Sequence, residues 1–138
     1  MRGFFIDAMK FSLLIQAAPH SAQASATALS FAEALLKQGH SLHRVFFYRD
    51  GVHNASELAA PPQDETNLPH RWQALAREHQ VELMVCIAAA LKRGILDEAE
   101  ARRYQKASAN LAPGFVLGGL GQLLEAAVES DRLITFGN

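Results

Sequence analysis

The chain has 138 residues, 49% apolar and 20% charged, with a formal net charge of −1. That length suits one domain around a single core, and the near-neutral balance argues against the broad cationic footprint of a direct nucleic-acid binder. A single cysteine, Cys86, excludes an internal disulfide, a cysteine-based zinc site and a CxxC pair; it fits a reducing compartment, and no apolar stretch reaches membrane-spanning length.

Residues 1–8 are expected to form a short extension outside the fold, with residues 9–138 as one domain. Arg2 and Lys10 flank Phe4-Phe5-Ile6, and the apolar run at 11–15 leads into Ala/Ser-rich sequence, loosely like a secretory signal. Asp7 sits where such a signal needs positive charge, and cleavage would delete a good first strand. Met9 is therefore read as a second candidate start.

Residues 10–17 read as the first strand, ended by Pro19. A helix continues to about residue 37, with Ala28, Phe31, Ala32, Leu35 and Leu36 at helical spacing, Ser25 or Thr27 as its cap and Gly39 as its stop. Residues 42–48 are aromatic and β-branched, a second strand, and Arg49-Asp50-Gly51 reads as a turn. The stretch from 52 to 69 is long for a connection, with a short helix expected near 55–59. Residues 70–79 read as a helix, 81–87 as a third strand and 97–106 as an exposed helix. Pro113-Gly114 breaks the chain. Gly118-Gly119-Leu120-Gly121 leads into a helix at about 122–130, and 132–136 is the last strand.

This alternation predicts an α/β fold: a three-layer α/β/α sandwich around a mainly parallel sheet of about four to five strands, flavodoxin-like in outline. Leu83-Met84-Val85-Cys86-Ile87 is an uninterrupted apolar run, as in a strand buried on both faces. Cys86 ends it, where open α/β sheets keep their sites. From position alone an unpaired cysteine is more often core filling than a nucleophile.

Phe46-Phe47-Tyr48-Arg49-Asp50-Gly51-Val52-His53-Asn54 matches the pattern FFYxxGVxNA, and the stretch Val85 to Gly94 matches CVAAAxRRG. Residues 96–101 and 108–111 fit the segments next in order. Gly118-Gly119-Leu120-Gly121-Gln122-Leu123 fits SGLGxL, with Gly118 in place of the serine. By these motifs, in this order and over residues 9–137, the chain resembles the DsrE/TusD group of intracellular sulfur-relay proteins.

The resemblance implies a DsrE/F-like fold and a cytoplasmic sulfurtransferase subunit without a cofactor. Its catalytic residue would be Cys86, which takes sulfane sulfur as a persulfide from a TusA-like donor and yields it to a TusE/DsrC-like acceptor. The implied end use is 2-thiolation of wobble uridine in tRNA. The alternatives are a DsrE-type role in dissimilatory sulfur oxidation and a non-catalytic assembly subunit. The implied partners are TusB/TusC-like or DsrF/DsrH-like sister subunits in a dimer of heterotrimers, with neither nucleic acid nor membrane bound directly.

Elementary chemistry accommodates this. A carrier needs one thiolate; a resolving cysteine in the same chain would expel the sulfur as sulfide. A helix N-terminus after Cys86 is the expected anion stabiliser, ahead of Lys92 and Arg93. Ala88, Ala89 and Ala90 leave room for an extra sulfur.

Other features read as structural. His40 and His43 lack clustered acidic or sulfur ligands and are taken as surface or interface residues rather than metal ligands. Ser108 and Asn110 are read as loop caps before donors to a sulfur anion. The glycines at 118–121 lack phosphate-loop spacing and read as a tight turn. Phe46-Phe47-Tyr48 reads as core, not a base-stacking platform. A small-molecule binder is disfavoured, because Ala17 to Ala22 is not glycine-rich.

Overall fold

The computed structural model describes residues 7–137. The expected extension at 1–8 lies mostly outside the described residues; Asp7 and Ala8 are exposed and carry no regular structure. In chain order the elements are β1 (Lys10–Ile15), α1 (Ala24–Lys37), β2 (Ser41–Phe47), a 3₁₀ helix (Arg49–Ala55), α2 (Leu68–His79), β3 (Glu82–Cys86), α3 (Ile87–Lys92), α4 (Glu98–Arg103), β4 (Phe115–Gly118), α5 (Leu120–Glu129) and β5 (Arg132–Phe136).

The five strands form one sheet, ordered β4-β3-β2-β1-β5, and every pairing is parallel. All five carboxyl ends therefore lie along one edge. Successive strand residues face opposite sides of the sheet. Phe11 meets Phe31 of α1, and Phe47 meets Trp72 of α2. On the opposite face, Ser12 reaches Ser130 at the end of α5. Helices α1 and α2 thus cover one face and α5 the other, which is the expected three-layer arrangement.

The α5 face is held by a buried charge. Arg44 on β2 bonds Glu82 on β3, the carbonyl of Gln122 at 2.6 Å and Glu125 at 2.8 Å. Burial opposes the charge on this guanidinium, but the two carboxylates outweigh it and hold the pKa above its ordinary range. Cover on this side is thin: Val116, Leu120, Leu124 and Val128 are exposed.

Several local expectations change. The turn at Arg49-Asp50-Gly51 is the start of a 3₁₀ helix through Ala55, which takes the place of the helix expected near 55–59. Neither Ser25 nor Thr27 caps α1, whose N-cap is Gln23. Ser25 is instead buried and bonds the Ala17 carbonyl at 2.7 Å. Helix α2 starts earlier, at an Asn67 cap with Pro69 in its first turn. Helix α4 stops at Arg103, three residues short of the expected end. Phe115–Gly118 is a strand, read from sequence only as the stretch between Pro113-Gly114 and the glycine turn.

Asn54 is the polar centre of the interior. Its side chain accepts the Trp72 indole N–H at 3.2 Å and donates to the Gly51 carbonyl at 2.9 Å and Ser25 Oγ at 3.1 Å. Asn54 and Trp72 are fully buried, so truncation strands a donor in an apolar setting. Asn54→Ala should lower unfolding free energy by about 3 kcal/mol, read as a lower urea midpoint at unchanged slope.

Candidate active site at the carboxyl edge of the sheet

Cys86 is the last residue of β3 and the N-cap of α3. Its backbone is extended, φ −61° and ψ 119°, so the chain leaves the strand and enters the helix through this one residue. No side chain caps this end of α3. Cys86 thus directly precedes the helix's first unbonded N–H groups, as the spacing anticipates.

The expected accessibility does not hold in the isolated chain. Cys86 is only 3% exposed, buried like the three strand residues before it. Ala89 and Ala90 are buried with it, while Ala88 is exposed. Directly beside these residues, a groove of about 950 Å³ opens between α3 and α4, and Ile87 and Ala88 contribute to its wall.

The two longest motifs meet at this edge. Asp50, in the 3₁₀ helix after β2, accepts from Arg93 Nε at 2.9 Å, and Arg93 also donates to the Ala89 carbonyl at 3.1 Å. The pair fastens the far end of α3 to the end of β2. Gly51 lets the 3₁₀ helix sit against β1, since a Cβ there would overlap the Ile15 carbonyl. Sequence reasoning missed this clasp; its signal was the presence of one acidic and one basic residue in two separate motifs. Lys92 is exposed on the groove and makes no ion pair among the described residues.

The remaining candidates separate cleanly. Asn110 holds the loop, donating to the Gly94 carbonyl and accepting from the Leu96 N–H, each at 2.9 Å. Ser108 lines the groove. His40 accepts the Met9 N–H through Nδ1 at 3.0 Å and packs edge-on against Phe11, whereas His43 lies on β2. Phe46 and Phe47 are fully buried core. Gly119 caps α5, its N–H bonded to Gln122 Oε1 at 2.8 Å.

Gly118 pairs with Cys86 across β3 and β4. A Cβ at Gly118 would overlap Met84 Sδ, so the methionine fills the space that the motif's serine would need. A larger residue beside the thiol therefore requires the Met84 side chain to move.

Residues 9–136 match the DsrE/DsrF-like family. The chain belongs to that family. It is 49% identical to the putative sulfurtransferase DsrE of Allochromatium vinosum over 94% of this chain and 100% of that protein. It is equally similar, at 49%, to the sulfurtransferase TusD of Salmonella newport, over 93% of this chain and 100% of the relative. The corresponding figure for TusD of Serratia proteamaculans is 50%, over 93% and 99%. The crystal structure of the ychN protein from E. coli shares the fold, with a TM-score of 0.75 at 21% identity over 93% of this chain and 99% of that one. As a DsrE/DsrF-like protein the chain is thus a homologue of both TusD and DsrE sulfurtransferases. No described helix is long and apolar enough to cross a membrane.

This geometry has two measurable consequences. Alkylation of Cys86 in the folded chain should be more than about tenfold slower than in urea, because it waits on local opening; equal rates would contradict the burial. Gly118→Ser should destabilise by overpacking, and it should cost less in a Met84→Ala background than in the parent chain. A double-mutant cycle should give a coupling of about 1 kcal/mol; additivity would show that Met84 is not the obstacle.

Proposed function

We propose that this chain is a cytoplasmic sulfurtransferase subunit, with residues 9–138 as its working domain and Cys86 as its persulfide carrier. The Cys86 thiolate attacks the outer sulfur of a donor persulfide. The donor's S–S bond breaks, the donor leaves as a thiolate, and Cys86 holds a terminal sulfur. An acceptor thiolate then attacks that sulfur and releases the Cys86 thiolate. Sulfur oxidation states balance through each exchange, so no cofactor is required.

The observation that carries this reading is the placement of the chain's one thiol. It ends β3 at the carboxyl edge, caps α3 and directly precedes two residues of the groove wall, within a sequence 49% identical to proteins named as sulfurtransferases over 93% or 94% of its length. Burial of the thiol makes transfer conditional on local opening, and α3 is only six residues long, so the moving part is small. A covered sulfur is also shielded from irreversible oxidation between transfers.

A TusA-like protein supplies the sulfur and a TusE/DsrC-like protein receives it. Sister subunits of TusB/TusC or DsrF/DsrH type complete a dimer of heterotrimers. The exposed Leu120, Leu124 and Val128, spaced four residues apart on α5, support such an assembly, with Leu124 at 68% and Val128 at 76% exposure. The end use we favour is 2-thiouridine formation at tRNA wobble positions. The equal identity to the Allochromatium DsrE favours sulfur oxidation as the second reading.

Incubation with a persulfide donor should add about 32 Da per chain, one sulfur atom, removable by dithiothreitol, and Cys86→Ser should abolish the gain. Labile sulfur on the serine variant would overturn the assignment. Deletion in the source organism should lower 2-thiouridine in total tRNA; unchanged 2-thiouridine together with impaired sulfur oxidation would select the second reading.

A further inference from the structure

We propose that the polar pocket at the carboxyl ends of β1 and β5 binds a tetrahedral oxyanion of the sulfate or phosphate type, free or as the end group of an ester. The pocket shares no lining residue with the groove between α3 and α4. The proposal goes beyond sulfur carriage and does not rest on it.

The topology marks the place. From β1 the chain builds β2, β3 and β4 in one direction, then crosses back to lay β5 against the other side of β1. Strand order therefore reverses at the β1–β5 pair, and open α/β sheets bind ligands outside the carboxyl ends of their strands at such a reversal. A pocket of about 490 Å³ lies there, lined by Gln16, Arg49, Asp50, Arg93, Thr135 and Gly137. Gln16 follows β1, Thr135 lies on β5, Arg49 opens the 3₁₀ helix after β2, and Arg93 caps the end of α3.

The chemistry of this lining selects the ligand. Among the described residues, the side chains of Gln16, Arg49 and Thr135 bond no protein group. Arg93 gives Nε to Asp50 and Nη1 to the Ala89 carbonyl, which leaves its Nη2 protons for an occupant. Two guanidinium groups accompany one carboxylate, and Arg93 already pairs with that carboxylate. Arg49 is thus the cation in excess. Donors arriving from four elements suit an acceptor with oxygens in several directions, as a tetrahedral oxyanion has and a planar carboxylate has not. The space far exceeds the roughly 30 Å³ of one water molecule, so an esterified group also fits.

Arg49 is moreover a costly residue at its position. Its φ of 51° lies in the left-handed region that favours glycine or asparagine. Its side chain is exposed and forms no ion pair among the described residues; its ring contact is with the neighbouring Tyr48, at 6.0 Å. Strain of this kind collects at ligand clamps, and an arginine held there without a protein partner fits one.

The test is an NMR titration of the full, nitrogen-labelled chain at constant ionic strength. Sodium sulfate, sodium phosphate, phenyl phosphate and sodium acetate are added separately. Saturable shifts of the Gln16, Arg49 and Thr135 amides are expected with the tetrahedral ions and not with acetate. Saturation by the inorganic ions identifies a free oxyanion; saturation by phenyl phosphate alone identifies an ester. Arg49→Gly relieves the backbone, so it should keep at least the parent unfolding temperature while losing more than about tenfold in affinity. Arg49→Gln, which retains the strain, should lose affinity equally. Shifts that grow without saturating would mean an adventitious ion only and overturn the proposal. So would equal binding of acetate, or unchanged affinity in both Arg49 variants.

Discussion

The carboxyl edge of the sheet is organised by one buried amide. Asn54 takes the indole proton of Trp72, and gives its own protons to Gly51 and Ser25, while Ser25 bonds the end of β1 at Ala17. Four segments that leave or approach the sheet thereby meet at one point. Each bond is worth only about 1 kcal/mol net, but an unmet partner here would cost more, because the site is dry. The 3₁₀ helix so fixed presents Asp50 to Arg93, and through that pair it sets the position of α3 and of the cysteine that caps it.

This chain of contacts explains how the cysteine we propose as the carrier comes to be a buried residue. Cys86 ends a strand flanked by β2 and β4, and it pairs with Gly118 of β4. Its freedom comes from the next element, a short helix held at its far end by an ion pair at the surface and bordered by an open groove. Surface pairs of this kind contribute about 1 kcal/mol or less. They align an element without locking it, which is what intermittent exposure of a sulfur requires.

Much of this architecture is legible in the sequence. Apolar runs locate β1, β2, β3 and the final strand, and helical spacing locates α1. Phe115–Gly118 escapes, since four residues between glycines carry no period. The 3₁₀ helix escapes because Arg49 takes a positive φ of 51°, a conformation stabilised by tertiary packing rather than by local preference. Residue type and motif single out Cys86, but not its burial, which only the assembled fold decides. Gly118 reads as a departure from the motif; only the position of Met84 shows what a larger residue would have to displace. The clasp and the groove join residues distant in sequence, and no local pattern announces them.

Sulfur carriage by the thiol at this edge is tested most directly in the working protein. The chain is isolated from cells supplied with a sulfur donor, after trapping with an alkylating agent before lysis, and the peptide that contains Cys86 is sequenced by mass spectrometry. An alkylated persulfide on that residue is the expected product. Recovery of Cys86 solely as an alkylated thiol, while the donor protein in the same lysate is persulfidated, would contradict its role as carrier.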